Sequence, residues 1–191
     1  MNLLVKKARK HDKSAFQQLM EQEGKAMYKV AKAILKNDED VADAMQETAL
    51  SCWEKIDTLK KEKYFRTWLT RILINNCNAI YRQRTKTLSE DAVEEKGFQE
   101  AGFADAEWGT FLNCLEEKYR TVIILHYIQG FKSREIAQIL QINENTVRGR
   151  LAAARKKLKE QYRSDDRRKQ QSECEQRQEL YNVERRISYE K

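Results

Sequence analysis

Not one proline occurs in the 191 residues, and glycine occurs only six times. Sheet proteins reverse direction every few residues, and those turns draw on proline's fixed φ and glycine's access to positive φ. A chain almost stripped of both is expected to be all-α. Hydrophobic residues make up 40% and charged residues 35%, enough apolar material for a core beneath a strongly ionic surface. No apolar run reaches the length of a secretory signal or a membrane span, so a cytoplasmic location is expected. Cys52, Cys77, Cys114 and Cys174 are too widely spaced for a zinc knuckle or a redox motif, and His11 and His126 stand alone. No nucleophile, base and orienting group come together, and no glycine loop cradles phosphate. The expectation is therefore a protein with no enzymatic activity, no metal or other cofactor and no small-molecule substrate.

Apolar spacing marks out the helices. Asp12 is placed to cap a helix carrying Phe16, Leu19 and Met20, and Met27, Val30, Ala31, Ile34 and Leu35 repeat at helical intervals. Residues 37–40 (NDED) form a polar break with a capping residue and early acids. Val41, Ala44, Met45, Thr48, Ala49, Cys52 and Trp53 follow as a third stretch. A lysine-rich connector then leads to Phe65, Trp68, Leu69, Ile72, Leu73, Cys77, Ile80 and Tyr81. From about 85 to 106 the periodicity fades, and acids, Gly97 and Gly102 appear. This pattern predicts two small helical domains, 1–84 and 107–160, joined by a flexible acidic linker at 85–106, with a charged tail at 161–191.

Charge is distributed unevenly. The net charge is +7 overall, yet residues 1–59 sum to zero, 60–86 to +7, 87–106 to −5 and 146–160 to +5. Two basic blocks separated by an acidic one suggest two anion-binding surfaces on two bodies, although a charge run by itself is equally compatible with a solvated helical face.

Residues 133–150 (SREIAQILQINENTVRGR) add a sharper pattern. Ser133 is placed to cap a helix that turns Ile136, Ala137 and Leu140 inward. Gln141, Ile142 and Asn143 make a tight turn with Ile142 buried. Asn143 or Asn145 then caps a second helix that packs Val147, Leu151 and Ala154 inward. This is a helix-turn-helix, whose second helix enters a DNA major groove by its N-terminal end. Arg148 is the first candidate for a base contact, since an arginine fork suits the guanine edge. Asn145 and Thr146 lie beside it. Arg150 and Arg155 are placed to hold either phosphates or acids of the domain itself.

Residues 115–123 (LEEKYRTVI) with this helix-turn-helix resemble the region-4 domain of extracytoplasmic-function (ECF) sigma factors, the specificity subunits of bacterial RNA polymerase. Residues 40–48 (DVADAMQET), 53–56 (WEKI) and 64–72 (YFRTWLTRI) resemble their region-2 domain, with a flavour of Firmicutes cell-envelope stress members. The resemblance spans about residues 2–160. It implies that the helix bearing Asp43, Gln46 and Glu47 docks on the clamp helices of the polymerase β′ subunit. It also implies that region 2 engages and melts the −10 element, and that region 4 reads the −35 element and touches the β flap. A membrane-anchored anti-sigma factor is implied as an inhibitory partner, beside core polymerase and promoter DNA. On the region-2 side Lys60, Lys61, Lys63 and Arg66 suit phosphates, Tyr64 suits stacking on an unpaired base, and Arg71 and Asn75 suit contacts along the same strand. Four positions depart from the family pattern: Glu116 stands where many members carry proline, Gln141 replaces a frequent turn glycine, and Ala152 and Ala153 replace larger or basic residues. Two other readings remain open at this stage. One is a helix-turn-helix regulator that binds an operator as a homodimer, and the other is a helical adaptor that contacts only proteins.

Overall fold

The computed structural model describes residues 1–35, 37–90 (backbone alone from 85), 112, 114–164 and 166. Every regular element among them is helical. The expected linker beyond residue 90, the tail beyond residue 166 and Cys174 lie outside the described residues.

Four helices build the first domain: α1 (Asn2–Ala8), α2 (Lys13–Ile34), α3 (Asp38–Lys55) and α4 (Phe65–Glu90). Their ends follow the side chains that the sequence supplies. The Asp12 carboxylate accepts from the Ala15 backbone N–H at 3.0 Å, and the Asn37 side chain accepts from the Glu39 N–H at 3.0 Å. Each satisfies a donor that a helix start leaves without an intrahelical acceptor. Asp38, Glu39 and Asp40 occupy the first turn of α3, where the helix dipole favours negative charge. Asp38 also receives the mostly buried Lys32 ammonium at 2.6 Å, tying α2 to α3 across the corner. Leu19, Ala44, Cys52, Ile56, Phe65, Leu69, Leu73 and Cys77 fill the core, while Phe16, Met20, Trp68 and Ile72 pack partly buried at its edge. Burying a side chain the size of Phe65 contributes about 2–3 kcal/mol. Burial pushes both the Cys52 and Cys77 thiols up to about 12, so they behave as small hydrophobes and not as thiolates. One polar thread crosses this core: Asn76 donates to the Thr48 hydroxyl at 3.0 Å, which donates to the Ala44 carbonyl at 2.6 Å.

The second domain contains α5 (Glu117–Ile123), a π-helical turn (Ile124–Ile128), α6 (Ser133–Leu140) and α7, the helix over residues 144–164. Ile136, Val147, Leu151 and Ala154 are buried as the spacing predicts. Three details of the turn differ from expectation. Ala137 and Leu140 are only partly buried, and Ile139 takes the second core position beside Ile136. Ile142 is likewise only partly buried. The cap of α6 is Lys132, not Ser133, because the Glu135 carboxylate reaches back to the Lys132 N–H at 2.8 Å and fixes the start one residue earlier.

Gln141 takes the left-handed conformation at φ 55°, and the N–H groups of Gln141 and Ile142 both bond to the Ala137 carbonyl. A residue with a Cβ is strained there by about 1–2 kcal/mol, which glycine avoids. Gln141→Gly is therefore expected to raise the stability of this domain by about 1 kcal/mol, offset in part by the looser unfolded chain. Chemical denaturation followed by circular dichroism checks it; an unchanged or lower midpoint would contradict the strain argument.

The two domains pack against each other, α5 and the π-helical turn on α2 and α6 on α4. A polar knot closes the seam. The π-helical turn, marked by the Gln129 N–H bonding to the Ile124 carbonyl, carries the Gln129 side chain to 8% exposure. Its amide donates to the Ala26 carbonyl of α2 at 3.3 Å and accepts from Arg66 Nη2 of α4 at 3.3 Å. Arg66 Nε also bonds Glu23 at 3.3 Å, and its guanidinium lies 5.5 Å from the Phe131 ring centroid.

Candidate nucleic-acid interface

α7 begins at a cap, and Asn145 and Thr146 in its first turn are exposed while Val147 anchors that turn in the core. Asn143 caps it, its side chain accepting from the Asn145 N–H at 2.8 Å, which settles the choice between the two asparagines. Because Val147, Leu151 and Ala154 take the buried side, helical geometry leaves Asn145, Thr146, Arg148, Gly149, Ala152 and Arg155 exposed, with Arg150 half-buried. A Cβ at Gly149 would meet nothing within 4 Å, so the middle of this face is open to a close-approaching surface. Arg148 is held by Glu144 one turn earlier at 2.6 Å, and Arg155 Nε donates to the Leu151 carbonyl at 3.2 Å. Both guanidiniums keep donors free in their forks, which suits edge and phosphate contacts.

Behind this helix, Glu116 closes a small clamp. It accepts Lys118 and Lys157, each at 2.7 Å, and both ammonium groups also sit near the Tyr119 ring, at 5.0 and 4.8 Å from its centroid. The departure from proline at this position thus ties the start of α5 to α7. The two lysines, Lys118 first, hold the Glu116 carboxyl down at about 2 against an ordinary 4.5. A carboxyl lowered on folding stabilises the fold above its ordinary value and loses that contribution as pH falls towards the folded one. The clamp is expected to stay intact at pH 5 and to open between about 4.5 and 2. NMR titration of the Glu116 side chain would show this as a midpoint well below 4.5, and an ordinary midpoint would refute it.

On the first domain the structure separates two faces. Along α3, Asp43, Gln46 and Glu47 are all exposed on the side opposite Val41, Ala44 and Thr48. Leu50, one turn beyond, joins them at 57% exposure, so an apolar side chain extends the acidic face. Sequence reasoning passed over Leu50, although its i+7 spacing from Asp43 was the available signal. The second face holds the connector and the outer side of α4. Lys60, Lys61 and Lys63 are exposed, Tyr64 is 47% exposed with the Lys63 ammonium 5.0 Å from its ring centroid, and Arg71 and Asn75 are exposed one turn apart. Arg66, expected among these phosphate binders, is engaged instead in the knot with Glu23 and Gln129.

Among the described residues no group of His, Cys, Asp and Glu is placed to hold a metal ion, and no helix is long and apolar enough to cross a membrane.

Comparison with known proteins accounts for both bodies. Residues 19–87 match the family described as Sigma-70 region 2, and residues 106–158 match Sigma-70, region 4. The chain is 30% identical over 173 residues to the RNA polymerase sigma factor CnrH of Cupriavidus metallidurans, covering 82% of this chain and 91% of that one. It is 29% identical over 143 residues to the sigma factor SigV of Bacillus subtilis, covering 73% and 86%. The solved structure of CnrH in complex with the cytosolic domain of CnrY superposes with a TM-score of 0.67 at 28% identity, covering 86% of this chain and 97% of the other. Two helical domains in this order, with a helix-turn-helix in the second, place the chain in the ECF group of the sigma-70 family, the non-enzymatic initiation factors of bacterial RNA polymerase.

Proposed function

We propose that the chain binds core RNA polymerase and directs it to specific promoters by dividing the work between its two domains, residues 1–84 and 107–160. Asp43, Gln46, Glu47 and Leu50 on α3 dock on the β′ clamp helices. Lys60, Lys61, Lys63, Tyr64, Arg71 and Asn75 engage the −10 element and hold its separated strand, with Arg66 joining them once it leaves Gln129. Asn145, Thr146, Arg148, Arg150 and Arg155 read or grip the −35 element, and the second domain also meets the β flap.

The observation that carries this reading is the capped, outward-facing start of α7, with Arg148 beside a bare Gly149, on a body separate from the cationic connector. Two anion-binding surfaces on two domains fit two promoter elements better than one operator half-site. The chain acts in the cytoplasm, where polymerase and promoter are found. An anti-sigma factor is the natural regulator, since the related CnrH was solved bound to the cytosolic domain of CnrY.

Transcription reconstituted from core polymerase, the purified chain and a promoter library tests the proposal. Discrete start sites that share two spaced sequence elements are expected; random initiation equal to that of core polymerase would overturn it.

A further inference from the structure

The sequence reading assigns no role to the first helix. In the structure α1 runs beside the turn at Glu62–Tyr64, and the two are pinned where Arg9 Nη1 donates to Glu62 Oε1 at 2.9 Å. Between them lies an open groove of about 560 Å³ lined by Asn2, Leu3, Lys6, Lys61, Glu62 and Lys63. Pockets that take small ligands and nucleotide-sized groups run from about 300 to 1,000 Å³.

The electrostatics of this groove are lopsided. Three ammonium groups face one carboxylate, and that carboxylate is already bound by Arg9. Lys6, Lys61 and Lys63 make no ion pair among the described residues. Cations gathered on a concave surface in excess of their counter-charge focus a positive potential into it and draw anions there. The groove is not purely polar either: Leu3 stands at its edge, mostly exposed, and the exposed Tyr64 ring adjoins Lys63. A simple inorganic anion has no use for those two side chains. A single strand of nucleic acid has phosphates for the lysines and flat bases for the apolar edge and the ring.

We infer that the groove between α1 and the Glu62–Tyr64 turn seats the phosphodiester backbone of single-stranded DNA, and that Lys6 is a DNA-contacting residue alongside Lys61 and Lys63. The inference rests on the assignment of the connector to the separated −10 strand and extends that surface onto a helix outside the matched region-2 segment.

The test is fluorescence anisotropy of the full chain with a short labelled single-stranded deoxyoligonucleotide over a salt series, using Lys6→Gln, Lys61→Gln and Lys7→Gln. Lys7 is exposed on the same helix but does not line the groove, so its loss removes the same charge without the contact. Lys6→Gln is expected to weaken binding about three- to tenfold at low salt and to flatten the salt slope by roughly 0.7, one phosphate's worth on a single strand. Lys7→Gln is expected to change both far less. If Lys6→Gln behaves like Lys7→Gln while Lys61→Gln weakens binding, α1 has no part in the site and only the connector assignment survives. If neither Lys6→Gln nor Lys61→Gln changes the affinity, the connector assignment falls as well. A polyglutamate competitor that displaces the oligonucleotide at equal charge, with its own binding lost in Lys6→Gln, would identify an acidic peptide as the occupant and overturn the inference.

Discussion

Replacing Glu47 with lysine is expected to weaken the association of the chain with core polymerase by at least tenfold while leaving its thermal unfolding unchanged. Glu47 is exposed, makes no ion pair among the described residues, and stands one turn from Asp43 on a face that the core of the first domain does not use. The fold therefore loses nothing when the charge reverses. Against a basic partner helix the reversal replaces an attraction with a repulsion, and like charges brought together at an interface cost several kcal/mol. Tenfold corresponds to about 1.4 kcal/mol, so the expected loss is a lower bound. Because exposed charges are screened, the deficit should shrink as salt rises. Leu50→Ala should cost a similar amount with little salt dependence, since it removes apolar contact without changing charge. Competition binding with labelled chain and core polymerase measures both. An affinity unchanged by Glu47→Lys would remove α3 from the docking surface.

Arg148→Ala is expected to lower initiation at promoters carrying a preferred −35 element by roughly 5- to 150-fold, the range of about 1–3 kcal/mol that a bidentate guanine contact contributes. The Glu144 ion pair that holds Arg148 in the structure does not argue against this role. Exposed pairs of this kind are worth about 0–1 kcal/mol, less than the contact that would displace them. What distinguishes base reading from phosphate holding is the pattern of the loss. A base-reading arginine, once removed, relaxes preference at one position, whereas a phosphate-holding one weakens all sequences alike. Transcripts from a randomised −35 library compared between the two proteins decide between them. A uniform loss would assign Arg148 to phosphate, and no loss would take it off the reading surface.

The parts of this fold that were legible in the sequence are those set by chemistry within a few residues. Asp12 and Asn37 cap their helices because a short polar side chain at a helix start has donors two or three residues away. Val147, Leu151 and Ala154 face inward because a helix has one period. Ser133 was misassigned as a cap by one residue, since Glu135 caps through its side chain to the Lys132 backbone, a bond that competes at the same place. The place of Arg66 in the seam between the domains was not legible. Its partner Gln129 lies 63 residues away, and a π-helical turn that no periodicity announces is what delivers the amide to it. Lys6 was overlooked for the same reason, as its meaning comes from lysines more than fifty residues later in the chain.

One consequence follows from the crowding at Arg66. Its Nε and Nη2 are spent on Glu23 and Gln129 at the seam, so a phosphate that draws the whole fork to itself must also part the two lobes. By reciprocity, whatever nucleic acid gains from that liberated arginine it returns as a bias towards the splayed form, in equal measure.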